Sequence, residues 1–210
     1  RHAANETEQA TTMNESSSAS DAIVIVGGGH AGAQLCAALA DAGLGARVHL
    51  VCEEPELPYQ RPPLSKGYLK SADEIVQSHR AEAWYAAAGI TLHACDPAVA
   101  IDRARGVLRL QSGRELPYGK LVLATGSRAR RLPQLAETLD NVVALRSSAD
   151  AQRLRERLVA ATGVTVLGGG FIGLEVAATA RGLGKTVTVL ESAPRLLTRS
   201  VSPELAEHVL

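Results

Sequence analysis

Two glycine triplets and two acids raise the first chemical question. Gly27-x-Gly29-x-x-Gly32 and Gly168-x-Gly170-x-x-Gly173 each follow a short β-branched run and open an Ala-rich one. That spacing suits a dinucleotide. The first glycine permits a tight turn, the second lets a pyrophosphate approach the backbone, and the third lets helix and strand pack closely. A helix starting there offers free N–H groups and partial positive charge. A lone triplet is weak evidence, but here each is followed, about 20 residues on, by another β-branched run ending in an acid. These acids, Glu53 and Glu191, can accept hydrogen bonds from ribose hydroxyls. Two dinucleotide sites are therefore expected. Glu54 is either a solvated loop acid or a second acceptor on the first ribose. A carboxylate at Glu191 repels a 2′-phosphate, and Ser192-Ala193-Pro194 brings no cation; Arg195 is the nearby candidate. The second site is expected to take NADH rather than NADPH.

Between the triplets lies PYQRPPLSK, residues 58–66. Consecutive prolines stiffen a loop and lower the entropic cost of placing side chains. Two dinucleotides in one chain suggest a flavin and a nicotinamide. Arg61 could then meet the flavin pyrophosphate and Lys66 the flavin ring. His30, inside the first glycine loop, is expected beside a phosphate rather than in a catalytic role.

The elements that hold these residues are legible as well. Strands are expected at 23–26, 47–52, 90–93, 99–102, 120–126, 164–167 and 186–190, and helices at 31–42, 81–88, 150–160 and 171–183. Ser148 is the expected cap of the third of these helices. A helical turn is expected at 67–70, a hairpin turning at Ser112-Gly113, and a further helix opening at Ser202-Pro203. The pattern β, glycine loop, α, β occurs twice, about 140 residues apart. The expected fold class is α/β, with two Rossmann-like FAD/NAD(P)-binding units built on parallel sheets. Residues 21–130 form the first unit and 131–210 an incomplete second, with the boundary near Pro133. Residues 1–20 are polar and expected to be disordered.

Composition narrows the classes. Of the 210 residues 46% are hydrophobic, and the formal net charge is zero. No global basic field exists to hold nucleic acid or an anionic membrane. The apolar stretch 22–40 contains three consecutive glycines, a His and a Gln, which suits strand–turn–helix better than a membrane helix. Cys36, Cys52 and Cys95 form no CxxC or CxxxxC, so neither a metal site nor a redox disulfide is signalled. They are expected to be small buried hydrophobes in a reducing cytoplasm. Trp84 and Tyr85 read as packing residues. Arg153, Arg155 and Arg157 read as a solvated basic face, or a patch for an acidic partner.

EEPELPYQRPPLSK together with VGGGHAG and GGGFIGLE resembles the oxygenase-coupled, NADH-dependent ferredoxin reductases, of the putidaredoxin reductase type. Apoptosis-inducing factor shares the fold and a similar Pro-rich stretch. The resemblance implies an FAD enzyme that takes hydride from NADH. It passes single electrons to a [2Fe–2S] ferredoxin serving a cytochrome P450 or a ring-hydroxylating dioxygenase. Alternatives are a related reductase acting on rubredoxin or nitrite, and a regulatory flavoprotein. By resemblance, Gly27, Gly29, His30, Ala31 and Gly32 would hold the FAD pyrophosphate, and Glu53 its ribose. Arg61, Lys66, Val99, Ala124, Thr125, Gly126 and Arg130 would contact other parts of FAD. Gly168, Gly170, Phe171, Ile172, Gly173 and Glu191 would line the nicotinamide cofactor. Glu175 would pair with Lys66 beside flavin N5. The bland alternative for Glu175 is an acid favoured by the first turn of a helix. Relatives of this kind are about twice as long, so a C-terminal interface domain is expected to be absent from these residues.

Overall fold

The computed structural model describes residues 21–130 and 139–208. The expectations for residues 1–20 and for a boundary near Pro133 lie outside the described residues.

The sequence IVIV becomes β1 (Ile23–Val26), the buried centre of a four-stranded parallel sheet. Its neighbours are β2 (Val48–Val51) and β7 (Lys120–Leu123), and β3 (Thr91–His93) pairs beyond β2. Strand side chains alternate between faces, and both faces of β1 are covered. Ile23 and Ile25 pack with Leu50, Cys36 of α1 (His30–Asp41) and Tyr85 of α3 (Glu82–Ala87). Val24 and Val26 pack instead on Leu108, Leu110 and Leu116. These come from a separate antiparallel sheet of β4 (Ala98–Asp102), β5 (Val107–Leu110) and β6 (Glu115–Pro117), which contains the expected hairpin. Burial on both faces explains why β1 is apolar at every position.

The second unit reuses the plan with fewer strands among the described residues. β8 (Gly163–Leu167) and β9 (Thr186–Leu190) pair in parallel. Val164, Val166 and Val187 pack toward α4 (Ser148–Ala160) and α5 (Phe171–Gly182). Thr165, Thr186 and Thr188 alternate with them on an exposed face. α6 (Pro203–Glu207) closes the described chain, capped by Ser202.

The second core draws on the first unit. Tyr59, Leu64, Tyr68 and Leu69, from the Pro-rich segment and α2 (Gly67–Lys70), pack with Ala151, Leu158, Val176 and Ala180. Burying a side chain such as Leu64 contributes about 1.5–3 kcal/mol. The segment is therefore a structural joint as well as a carrier of cations.

Several expectations are corrected. The second strand begins at Val48, because 45–47 wind into a 3-10 turn. α4 is capped by Ser147, not Ser148. The Ser147 hydroxyl accepts from the Asp150 amide while the Asp150 carboxylate accepts from the Ser147 amide. Ser148 is already helical, and its hydroxyl donates to Glu56 at 2.6 Å. Cys36 and Cys52 are buried but Cys95 is exposed, in a left-handed turn after β3. Arg155 leaves the expected solvated face. Its guanidinium stacks 4.2 Å from the Tyr68 ring and donates to the carbonyls of Ser71 and Glu74 at 3.0 and 3.1 Å. Tyr85 is buried with Trp84 edge-on against it, as packing residues. Among the described residues no helix is long and apolar enough to cross a membrane.

Candidate functional site

The β1–α1 turn is built by contacts that exclude side chains. Gly27 has φ of 120°, and a Cβ there would collide with the Ala124 carbonyl oxygen. A Cβ on Gly32 would strike the Gly27 carbonyl oxygen, so α1 meets the end of β1 this closely only because residue 32 is glycine. Gly29 is the N-cap of α1, with no side-chain cap and no acid in the first turn. Open space lies where its Cβ would be. The free amides of that turn therefore face an open anion site, which fits a dinucleotide pyrophosphate. His30 is exposed, its ring edge-to-face with His79 at 4.7 Å. Burial, then the neighbouring His30 and Arg80, holds the His79 imidazole below its ordinary pKa. Ala31 follows His30 in the first turn of α1.

The second loop repeats the geometry. Gly173 meets the Gly168 carbonyl, and Gly170 caps α5 with no side-chain cap and no acid in the first turn. Phe171 and Ile172 stand exposed at that end. Glu191 reaches back to the loop, accepting from the amides of Ala193 at 2.8 Å and Gly169 at 2.7 Å. Those two amides hold its carboxyl below the usual range, so it is an anion at neutral pH. Arg195 donates to the carbonyls of Val201 and Thr198 at 3.0 and 3.2 Å. Its cation is turned into its own loop.

Between the units lies a cleft of about 260 Å³. One wall is the 3-10 turn Pro62–Ser65 with Lys66; the other includes Arg146, Ile172 and Glu175. Lys66 Nζ lies 3.0 Å from Glu175 Oε1. The Ser65 hydroxyl donates to Glu175 Oε2 at 2.5 Å. Burial raises the Glu175 pKa, but the Ser65 hydroxyl and Lys66 together outweigh it and hold it below the ordinary carboxylate range. Glu175 sits in the second turn of α5, so the first-turn explanation for an acid there does not apply.

Arg61 lines the cleft, yet its guanidinium has three partners: Glu54 at 2.6 Å, the Arg146 carbonyl at 2.9 Å and the Tyr59 hydroxyl at 3.0 Å. Tyr59 donates to Glu54 at 2.5 Å and accepts from the Ser148 amide at 2.9 Å. Burial and the hydrogen bond to Glu54 push the Tyr59 phenol up to about 12. Glu54 is thus neither a solvated acid nor free to face a ribose; it neutralises Arg61. Glu53 is exposed, with Arg128 Nη2 at 3.0 and 3.2 Å from its two oxygens.

The remaining expected residues are spread more widely. Ala124, Thr125 and Gly126 follow β7, and the Ala124 amide donates to Val26 at 2.8 Å beside the first glycine loop. Gly126 lies near the Arg146 guanidinium. Arg130 is exposed beyond them. Val99 is exposed on β4, in the antiparallel sheet. Ser65, Thr179, Tyr59 and Arg146 were not singled out by the sequence reasoning. The spacing of four between Glu175 and Thr179, which places both on one helix face, was the available signal. Among the described residues no group of three or more His, Cys, Asp or Glu is placed to hold a metal ion.

Residues 21–210 match the family described as pyridine nucleotide-disulphide oxidoreductase. The chain belongs to this oxidoreductase family. A rubredoxin–NAD(+) reductase of Ectopseudomonas oleovorans is 44% identical over 191 residues, 90% of this chain and 49% of that protein. The ferredoxin–NAD(+) reductase component of the anthranilate 1,2-dioxygenase system of Burkholderia cepacia is 47% identical over 188 residues, 88% of this chain and 46% of that one. The crystal structure of a ferredoxin reductase for the CYP199A2 system from Rhodopseudomonas palustris superposes with a TM-score of 0.83 at 42% identity, covering 90% and 46% of the two chains. The chain spans about half the length of the curated relatives it matches. The α/β class, with its two parallel-sheet units, agrees with that match.

Proposed function

We propose that the protein is an FAD-dependent NADH oxidoreductase that delivers electrons singly to a small iron protein. One observation carries the reading: Lys66 and Glu175 are joined across a cleft between the Pro-rich turn of the first unit and α5 of the second. The first glycine loop, with the open N-terminus of α1, binds the FAD pyrophosphate. The second loop, α5 and Glu191 bind NADH. Bound FAD supplies the chemistry, accepting a hydride and releasing its electrons one at a time.

The chain's own residues position and tune. Glu191, ionised and facing its loop, disfavours a 2′-phosphate, and Arg195 offers it no compensating cation. Phe171 and Ile172 give an apolar wall that excludes water on the nicotinamide side. Lys66 Nζ would supply positive charge to a flavin ring bound in the cleft, and Glu175 Oε1, 3.0 Å away, holds that ammonium and would share its proton.

Cys36, Cys52 and Cys95 form no CxxC or CxxxxC spacing, which supports direct electron delivery over relay through a dithiol. The acceptor is a ferredoxin serving a P450 or a dioxygenase, as the names of the Burkholderia and Rhodopseudomonas relatives suggest, and the resemblance of the Pro-rich motif makes it one of the [2Fe–2S] type. The Ectopseudomonas relative supports rubredoxin as the second reading. The test is anaerobic titration of the full-length protein, followed by visible absorbance, with NADH and then NADPH. About one NADH per flavin bleaching the spectrum, with NADPH acting poorly, is the expected result. A requirement for two equivalents, or purification without flavin, overturns the proposal. Turnover with ferredoxin against rubredoxin then separates the two acceptors.

A further inference from the structure

We propose that Ser65 and Thr179 are positioning residues that hold the Glu175 carboxylate in register with Lys66. This rests on the reading of Lys66 and Glu175 as the pair beside the reacting ring. Glu175 and Thr179 are four residues apart on α5, so both face the Pro-rich turn. They grip two consecutive residues of it. The Thr179 hydroxyl donates to the Ser65 carbonyl at 3.0 Å. The Ser65 hydroxyl donates to Glu175 Oε2, and Lys66 Nζ meets Oε1.

The geometry does more than fill space. Ser65 and Thr179 are each only 4% exposed. Buried hydroxyls need partners, and these two find theirs across the joint between the units. The terminal torsion of a glutamate is broad, so a single contact with a flexible, half-exposed lysine would leave the carboxylate free to rotate. The second bond, from Ser65 to the other oxygen, fixes its plane. Pro62 and Pro63 limit the turn that carries Ser65, and the Thr179 bond sets the direction of its backbone. The other charged groups lining the cleft are Arg61 and Arg146. Arg61 is engaged by Glu54, and Arg146 donates to the Ser127 carbonyl at 2.8 Å. The hydroxyl and Lys66 are therefore the groups holding Glu175 ionised against its burial. Loss of the hydroxyl lets protonation begin at higher pH.

The experiment uses full-length, flavin-loaded protein and follows NADH-dependent flavin reduction against pH. A second readout is the side-chain carbon-13 titration of Glu175 in the flavin-free protein, assigned by its loss in Glu175→Gln. Ser65→Ala is expected to move the acid limb and the carbon-13 midpoint upward by about one pH unit. Thr179→Val moves both by less, and Thr179→Ser restores them. If Ser65→Ala and Thr179→Val leave both midpoints where they were, the proposal is overturned. If Ser65→Ala does not fold, the isosteric Thr179→Val against Thr179→Ser decides it. Glu175→Gln separates the role of Glu175 from the role of the hydroxyls. Loss of the acid limb upholds the role of Glu175, and the Ser65 and Thr179 variants then test the hydroxyls directly. Persistence of the limb sinks the role of Glu175 beside the ring, while the carbon-13 titration still reports whether the hydroxyls hold it.

Discussion

The two glycine-loop units share a local design and differ in how it is covered. β1 is buried on both faces, between α1 and α3 on one side and the antiparallel sheet on the other. β8 and β9 are packed on one face by α4 and α5, and the other face, with Thr165 and Thr188, is exposed. The difference was written as IVIV against TVTVL. A strand covered on both sides is apolar throughout, and one covered on a single side alternates. The glycine turns differ likewise. Gly27 is wedged against the Ala124 carbonyl, whereas a Cβ on Gly168 would meet nothing within 4 Å. The same turn is therefore locked by tertiary contact in the first unit and held by local geometry in the second.

The sharpest way to break this contrast is to put alanine at both turns. Gly27→Ala combines a left-handed backbone with a backbone collision and should lose roughly 3 kcal/mol or more. Gly168→Ala carries only the conformational strain, about 1–2 kcal/mol. Urea unfolding of the two variants checks this, and equal losses would sink the distinction. Next in size are the strands. Ile25→Ala opens a cavity in a fully buried site and should cost about 2–5 kcal/mol, while Thr188→Ala on the exposed face should stay within about 0.5 kcal/mol. A large loss at Thr188 would mean that its face is covered in the full protein.

Cofactor choice sharpens the contrast in function. On the proposed reading Glu191 opposes a 2′-phosphate, so Glu191→Ala should narrow the NADH preference roughly tenfold, measured as the ratio of kcat/KM for the two nucleotides. Glu53→Ala in the first unit should leave that ratio unchanged. A shift of the ratio by Glu53→Ala, or none by Glu191→Ala, would misassign the two loops.

The smallest expected effect is in acid sensitivity. Arg114 Nη1 lies 3.1 Å from His93 Nδ1, and arginine can only donate. His93 must therefore carry its proton on Nε2 and donate to His49 Nδ1 at 3.1 Å. Burial, then His49 and Arg114, lowers the pKa of His93, and burial lowers that of His49. Folded values below the unfolded one mean that the unfolded chain binds more protons. Stability is then full above about pH 6.5 and falls as pH drops through that region. In the second unit Asp150 is raised by burial but lowered further by the Ser147 amide and hydroxyl and by Arg153. Its contribution is present above the ordinary carboxylate value and fades only below about pH 4. Thermal melts from pH 7 to 4 should show the earlier loss shrink in His93→Asn, with the shares of His49 and His79 remaining. If that variant keeps the full slope near pH 6, His93 is not a source of it.

Much of the fold was legible because it is local. Gly27 and Gly168, the runs IVIV and TVTVL, and the spacing to Glu53 and Glu191 specify turn, strand and helix within a few residues of each other. The pairing of Lys66 with Glu175 was legible only through resemblance, since 109 positions separate them in the chain. The fates of Glu54, Arg61 and Arg155 were not legible. A charged side chain in a loop or on a helix face reads as solvated, or as a ligand contact, until a distant carbonyl, ring or acid is brought to it. For Arg155 these are Tyr68, Ser71 and Glu74.

By itself, then, the sequence determined two dinucleotide-type turns, the strands that launch them and the acid that ends each second strand. These depend on backbone sterics and short-range periodicity. Tertiary structure alone decided that the Pro-rich segment is a joint. It buries Tyr59 and Leu64 in the second core, gives Arg61 to Glu54, and sets Ser65 and Lys66 against α5. Such contacts form between groups far apart in the chain, and only packing the two units together brings them within hydrogen-bonding reach.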